Sequence, residues 1–75
     1  MPHISVKCYP GRTEEQKQQL AKKITEDIKE IMNAKEESIS VSIEDIAPER
    51  WETDVVDVEI RPKADVLYKK PHYME

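Results

Sequence analysis

The chain has 75 residues, with twelve Lys and Arg against sixteen Asp and Glu, for a net charge of −4. That length allows one domain, and a chain so short buries only about 60% of the surface its unfolded form exposes. The acidic balance gives no electrostatic case for nucleic acid or an anionic membrane as partner. The longest apolar run is Val66-Leu67-Tyr68, too short for a membrane helix or a signal-peptide core. Cys8 is the only cysteine, so no intrachain disulfide forms, and a cytoplasmic location is expected.

In residues 3–9, Ile4, Val6 and Cys8 alternate with His3, Ser5, Lys7 and Tyr9. That period of two predicts a strand with one apolar face, broken by Pro10-Gly11. Thr13-Glu14-Glu15-Gln16 has the capping-box pattern, and the two glutamates suit the positive end of a helix. Leu20, Ile24, Ile28, Ile31 and Met32 then recur every three or four residues, with Ala21 beside them. The stripe predicts an amphipathic helix of about five turns, stopped at Asn33, a residue that tolerates the left-handed conformation. In residues 38–46, Ile39, Val41 and Ile43 alternate with Ser38, Ser40, Ser42 and Glu44, which predicts a second strand. Strand, long helix and strand make a β-α-β unit with parallel strands and a right-handed crossover, in the α+β class.

Pro48-Glu49-Arg50-Trp51-Glu52 can begin a short helix, with proline at the first helical position. Pro62 bars a long helix from running to the end of the chain, and residues 66–73 are expected to be extended and to pack on a partner. Two strands and one helix leave a serine-rich face and the sheet edges uncovered. A homo-oligomer, most simply a two-fold dimer, is the expected completion of this single domain over residues 1–75.

The residues with chemical potential are few. His3, Cys8 and His72 lack metal-ligand spacing, so no metal site is expected and they read as scattered surface or edge residues. Cys8 lies on the apolar face of its strand, where a thiol is usually inert packing. Pro2 stands out. Initiator methionine is removed before a small second residue, which would leave a secondary amine at the new terminus. Burial and a nearby cation both disfavour its charged form, leaving a neutral general base. Pro2 can equally be no more than a stable N-terminus. Arg12, after the first strand, can be a solvated surface residue or a planar two-pronged grip on a carboxylate. Trp51 can serve packing or wall a pocket.

Taken together these residues resemble the 4-oxalocrotonate tautomerase family. The stretches that carry the resemblance are Pro2-His3-Ile4-Ser5-Val6-Lys7, Gly11-Arg12-Thr13-Glu14-Glu15-Gln16-Lys17, Ser38-Ile39-Ser40-Val41-Ser42-Ile43 and the position of Trp51. They span about the first two-thirds of the chain, and their joint order is the specific feature. The tail Leu67-Tyr68-Lys69-Lys70-Pro71-His72-Tyr73 resembles that of the bacterial PptA-like branch, described as dimeric where the parent type is hexameric.

The resemblance implies a cofactor-independent enol–keto tautomerase acting on a small 2-oxo or 2-hydroxy-enoic acid. Pro2 would be the general base. Arg12, which the family can draw from a neighbouring subunit, would bind the substrate carboxylate or developing enolate. Trp51 would be the apolar wall. The parent enzymes carry a second arginine in the second strand, where this chain has Ser40. A hydroxyl is a neutral donor, so a mono-acid enol such as phenylenolpyruvate fits better than a dicarboxylate. Arg50, beside Trp51, can compensate in part or be a solvated charge. Two alternatives stay open: a non-catalytic oligomeric interaction module, and a dehalogenase- or decarboxylase-type enzyme using the same proline.

Overall fold

The computed structural model describes residues 1–74, which separate into two compact units, Met1–Asp45 and a second beginning at Ile46. The first unit contains strand β1, His3–Cys8, helix α1, Glu14–Met32, a 3-10 turn at Glu36–Ser38, and strand β2, Ser40–Asp45. The two strands pair in parallel, with His3 opposite Ser40, Ile4 opposite Val41, Val6 opposite Ile43 and Cys8 opposite Asp45. The predicted β-α-β unit is therefore present. The second strand is shorter than expected, because Ser38 belongs to the preceding turn, where its hydroxyl donates to the Lys35 carbonyl at 2.8 Å.

Both ends of α1 reflect local chemistry. Thr13 is extended, and its Oγ1 accepts from the Gln16 N–H at 3.1 Å while Gln16 Oε1 accepts from the Thr13 N–H at 2.8 Å. That reciprocal pair satisfies two of the donors a helix start leaves over. Asn33 ends the helix in the left-handed region at φ 58°, as its side chain tolerates. Ala21, Ile24, Thr25 and Ile28 are half-buried, and the stripe is offset from the expected one. Leu20, Ile31 and Met32 are exposed, Ile31 by 80%, because they sit at the margins of a stripe wider than one sheet face can cover.

In the second unit, Pro48–Trp51 forms helix α2, which continues as a π-helical segment over Glu52–Ile60. The helix is longer than the expected short one. In π geometry the bonds run from residue i to i+5, so residues four and five apart share a face. Trp51, Val55, Val56 and Ile60 have that spacing. Val55 and Val56 are the buried apolar side chains among the described residues, whereas Val58, off that face, is 52% exposed. The helix stops before Pro62, whose nitrogen cannot donate. The tail departs from a uniformly extended course at two 3-10 turns, Ala64–Val66 and His72–Met74, and the Arg61 guanidinium lies 5.9 Å from the Tyr73 ring centre.

Candidate functional site

Parallel pairing places Pro2 at the head of the sheet. Its carbonyl accepts from the Ser40 N–H at 3.2 Å, which ties the residue before β1 to the first residue of β2. Pro2 is half-buried and Met1 fully exposed. With Met1 in place the Pro2 nitrogen is an amide without a basic lone pair. Beside it, His3 Nδ1 and Ser40 Oγ are 2.6 Å apart, and both side chains are exposed. Pro2, His3 and Ser40 thus form one cluster.

Arg12 stands elsewhere. Its Nη1 donates to the Tyr9 carbonyl at 3.3 Å, in the loop after β1. Between Pro2 and this loop lies the whole of β1, roughly 17 Å from His3 to Cys8 at the usual strand rise. One copy of the chain therefore does not bring its own Arg12 to its own Pro2. The loop turns at Gly11, whose φ of 130° only glycine adopts without strain, although a Cβ there would meet nothing within 4 Å. Arg12 instead lines a cavity of about 210 Å³ between α1 and the sheet, with Val6, Cys8, Gln16, Lys17, Leu20 and Ile43.

That cavity is edged by an ion pair that no sequence pattern announces. Lys17 Nζ lies 3.0 Å from Asp45 Oδ1, joining the first turns of α1 to the end of β2. The hydrogen bond to Asp45 raises the Lys17 pKa above its usual 10.5; partial desolvation opposes this, and the charges of Asp45, Glu14 and Cys8 add to the rise. Nothing local in the sequence joins positions 17 and 45. The His3–Ser40 contact did have a signal, since alternation puts both residues on polar faces of strands that a β-α-β unit pairs.

Trp51 is half-buried at the end of α2, in the second unit. Arg50 is engaged by Asp54, with Nε 2.7 Å from Oδ2. The Arg50 side chain is 68% exposed. Cys8 is a half-buried free thiol with Sγ 3.9 Å from the Glu44 carbonyl. Among the described residues no group of three or more His, Cys, Asp or Glu side chains is placed to hold a metal ion, and no helix is long and apolar enough to cross a membrane.

Comparison with known proteins gives this arrangement its class. Residues 2–59 match the family model described as Tautomerase enzyme, a span that begins at Pro2 and takes in Arg12, Ser40 and Trp51. The chain belongs to the tautomerase family, and it is an enzyme of the isomerase class acting on small molecules. At the level of single proteins, it is 46% identical over 74 residues to Tautomerase PptA of Escherichia coli O127:H6, and 42% identical to Tautomerase PptA of Cronobacter sakazakii. Each alignment covers 97% of both chains. Among solved structures, YwhB, described as a homologue of 4-oxalocrotonate tautomerase, matches with a TM-score of 0.60 and 48% identity, over 61% of this chain and 75% of that one. A 4-oxalocrotonate tautomerase isozyme structure from Methylibium petroleiphilum matches with a TM-score of 0.63 and 36% identity, over 67% and 81%.

Proposed function

We propose that the chain interconverts enol and keto forms of a small 2-oxo or 2-hydroxy-enoic acid such as phenylenolpyruvate, with Pro2 as general base. The observation that carries the proposal is the position of Pro2. It heads β1 and is held by the Ser40 N–H, and the family match starts on it. Met1 is fully exposed, so it is open to removal, and its loss converts the Pro2 amide into a secondary amine. The amine takes the enol hydroxyl proton, the electron pair of that O–H bond becomes the new carbonyl π bond, and the alkene electrons take a proton from Pro2 at carbon. Nothing is oxidised and no cofactor is needed. A placed base of this kind supplies about 10²–10⁴-fold.

Arg12 binds the substrate carboxylate or the enolate oxygen, and the arginine that does so comes from a second copy. The separation of Arg12 from Pro2 along β1 supports this, as does a first unit in which no described side chain is fully buried while Leu20, Ile31 and Met32 are exposed. A homodimer, favoured over a hexamer by the tail, would make assembly a condition of activity. Trp51 walls the substrate ring, Ser40 supplies a neutral donor, and the enzyme works in the cytoplasm.

The test uses protein whose intact mass confirms loss of Met1. Ketonisation of phenylenolpyruvate should proceed well above the buffer rate, and Pro2→Ala should lower it by about 10²–10⁴-fold with the oligomer intact. Equal rates in the two proteins would overturn the proposal and return the chain to a different chemistry on the same fold.

A further inference from the structure

We propose that the His3–Ser40 pair is a pH-dependent specificity element of the Pro2 site, in which protonation of His3 turns the Ser40 hydroxyl toward an anionic group of the substrate. The inference rests on the reading of Pro2 as the reacting group. His3 Nδ1 and Ser40 Oγ are separated by 2.6 Å, a hydrogen bond in either direction. A neutral imidazole has one N–H and one lone pair, so the Ser40 hydroxyl can give its hydrogen to Nδ1. An imidazolium has no lone pair. Nδ1 then donates, Ser40 Oγ accepts, and the hydroxyl hydrogen needs another acceptor. The backbone N–H of Ser40 is already used by the Pro2 carbonyl, so the hydroxyl is the group left to meet a ligand at Pro2. Both side chains are exposed, which leaves them open to substrate.

Two effects of protonation then act in the same direction. The hydroxyl hydrogen is released from Nδ1 toward the substrate, and a positive charge appears one residue from Pro2. Both favour a substrate carrying a second carboxylate, and histidine is the side chain that changes charge between about pH 5 and 8. Along the same sheet face come Ser5 and Ser42, then Lys7 opposite Glu44, two opposite charges about 13 Å further on. The α1 helix lies on the other face, against Val6, Val41 and Ile43. In the turn leading into β2, Glu36 is held by Lys29 at 3.0 Å, with Lys35 and Glu37 on either side of it in the chain. The Pro2 amine, freed by loss of Met1, is a further titratable group. Its titration acts on every substrate alike and drops out of a ratio.

The experiment compares kcat/KM for 2-hydroxymuconate, with two carboxylates, and phenylenolpyruvate, with one, from pH 5.5 to 8.5 on protein lacking Met1. The ratio of the two should rise about fivefold as the pH falls, the worth of one exposed charge contact. In His3→Gln the ratio should be flat, because the amide keeps a hydrogen bond to Ser40 without titrating. In parallel, the His3 imidazole is titrated by NMR with and without cis,cis-muconate, a reading that needs no variant to fold. Muconate should move the His3 midpoint upward, since a ligand that prefers the protonated form stabilises it. A ratio independent of pH in the unaltered enzyme, a slope that survives His3→Gln, or a His3 midpoint unmoved by muconate overturns the inference. If Pro2→Ala turns over as fast as the parent, the reading of Pro2 falls instead, and the two failures are separate.

Discussion

Replacing Thr13 with alanine tests whether the start of α1, and through it Arg12, is set by side-chain chemistry. Thr13 Oγ1 accepts the Gln16 N–H at 3.1 Å, and Gln16 Oε1 accepts the Thr13 N–H at 2.8 Å. Thr13→Ala removes the first bond outright and leaves a helix donor to water. Loss of such a cap costs about 0.5–2 kcal/mol as a rule; both residues here are exposed, so water recovers part of it and about 1 kcal/mol is expected. For a chain of this size that lowers Tm by about 4–8 °C. Gln16→Ala removes the returning bond and the longer 3.4 Å contact from the Thr13 hydroxyl to Gln16 Oε1, keeps the Thr13 cap, and should cost about half as much. Thr13→Ser keeps the acceptor and should stay within about 0.5 kcal/mol of the parent. The variants are compared by thermal and urea unfolding at one protein concentration, because assembly makes Tm concentration-dependent. A functional readout accompanies stability. Arg12 is the residue before the cap, so fraying should raise KM for phenylenolpyruvate more than it lowers kcat. A Thr13→Ala protein as stable as the parent, or a serine variant as damaged as the alanine one, would refute the capping argument.

Burial and charge set two further outcomes. Val56 is 2% exposed and Val58 52% exposed, in the same helix. Val56→Ala should lose about 2 kcal/mol, two buried methyl groups plus the cavity they leave, and Val58→Ala less than about 0.5 kcal/mol; similar urea midpoints for the two would deny that π geometry selects the buried face. The Lys17 pKa is raised above 10.5 by its hydrogen bond to Asp45, so the contact should contribute fully below about pH 10.5 and be lost as the pH rises through the raised folded value. The stability difference between the parent and Asp45→Asn should therefore be constant from pH 7 to about 10 and shrink above it; a difference unchanged at pH 12 would exclude Lys17 as the partner.

Much of the first unit was legible because its determinants are local. Alternation of Ile4, Val6 and Cys8, and of Val41 with Ile43, needs only the two-residue period of a strand, and Thr13, Gln16 and Asn33 mark the helix ends through their own backbone preferences. The second unit was less legible. Pro48 marked a start and Pro62 an outer limit, but nothing local marked how far the helix runs between them, and the pair Val55-Val56, spaced for π rather than α geometry, carries it through Ile60. Apolar type alone also could not tell Ile24, which is half-buried, from Ile31, which is exposed.

The sequence by itself determined the β-α-β order, the parallel pairing that a long crossover requires, and the presence of an N-terminal proline beside a strand. Only the tertiary structure decided which of the candidate residues stand together. Register set His3 and Ser40 side by side at Pro2, brought Lys17 to Asp45, and left Arg12 at the far end of β1. Periods of two and 3.6 residues arise from backbone geometry within one segment. A contact between residues 37 positions apart depends on how two segments pair, and no local pattern carries that distance.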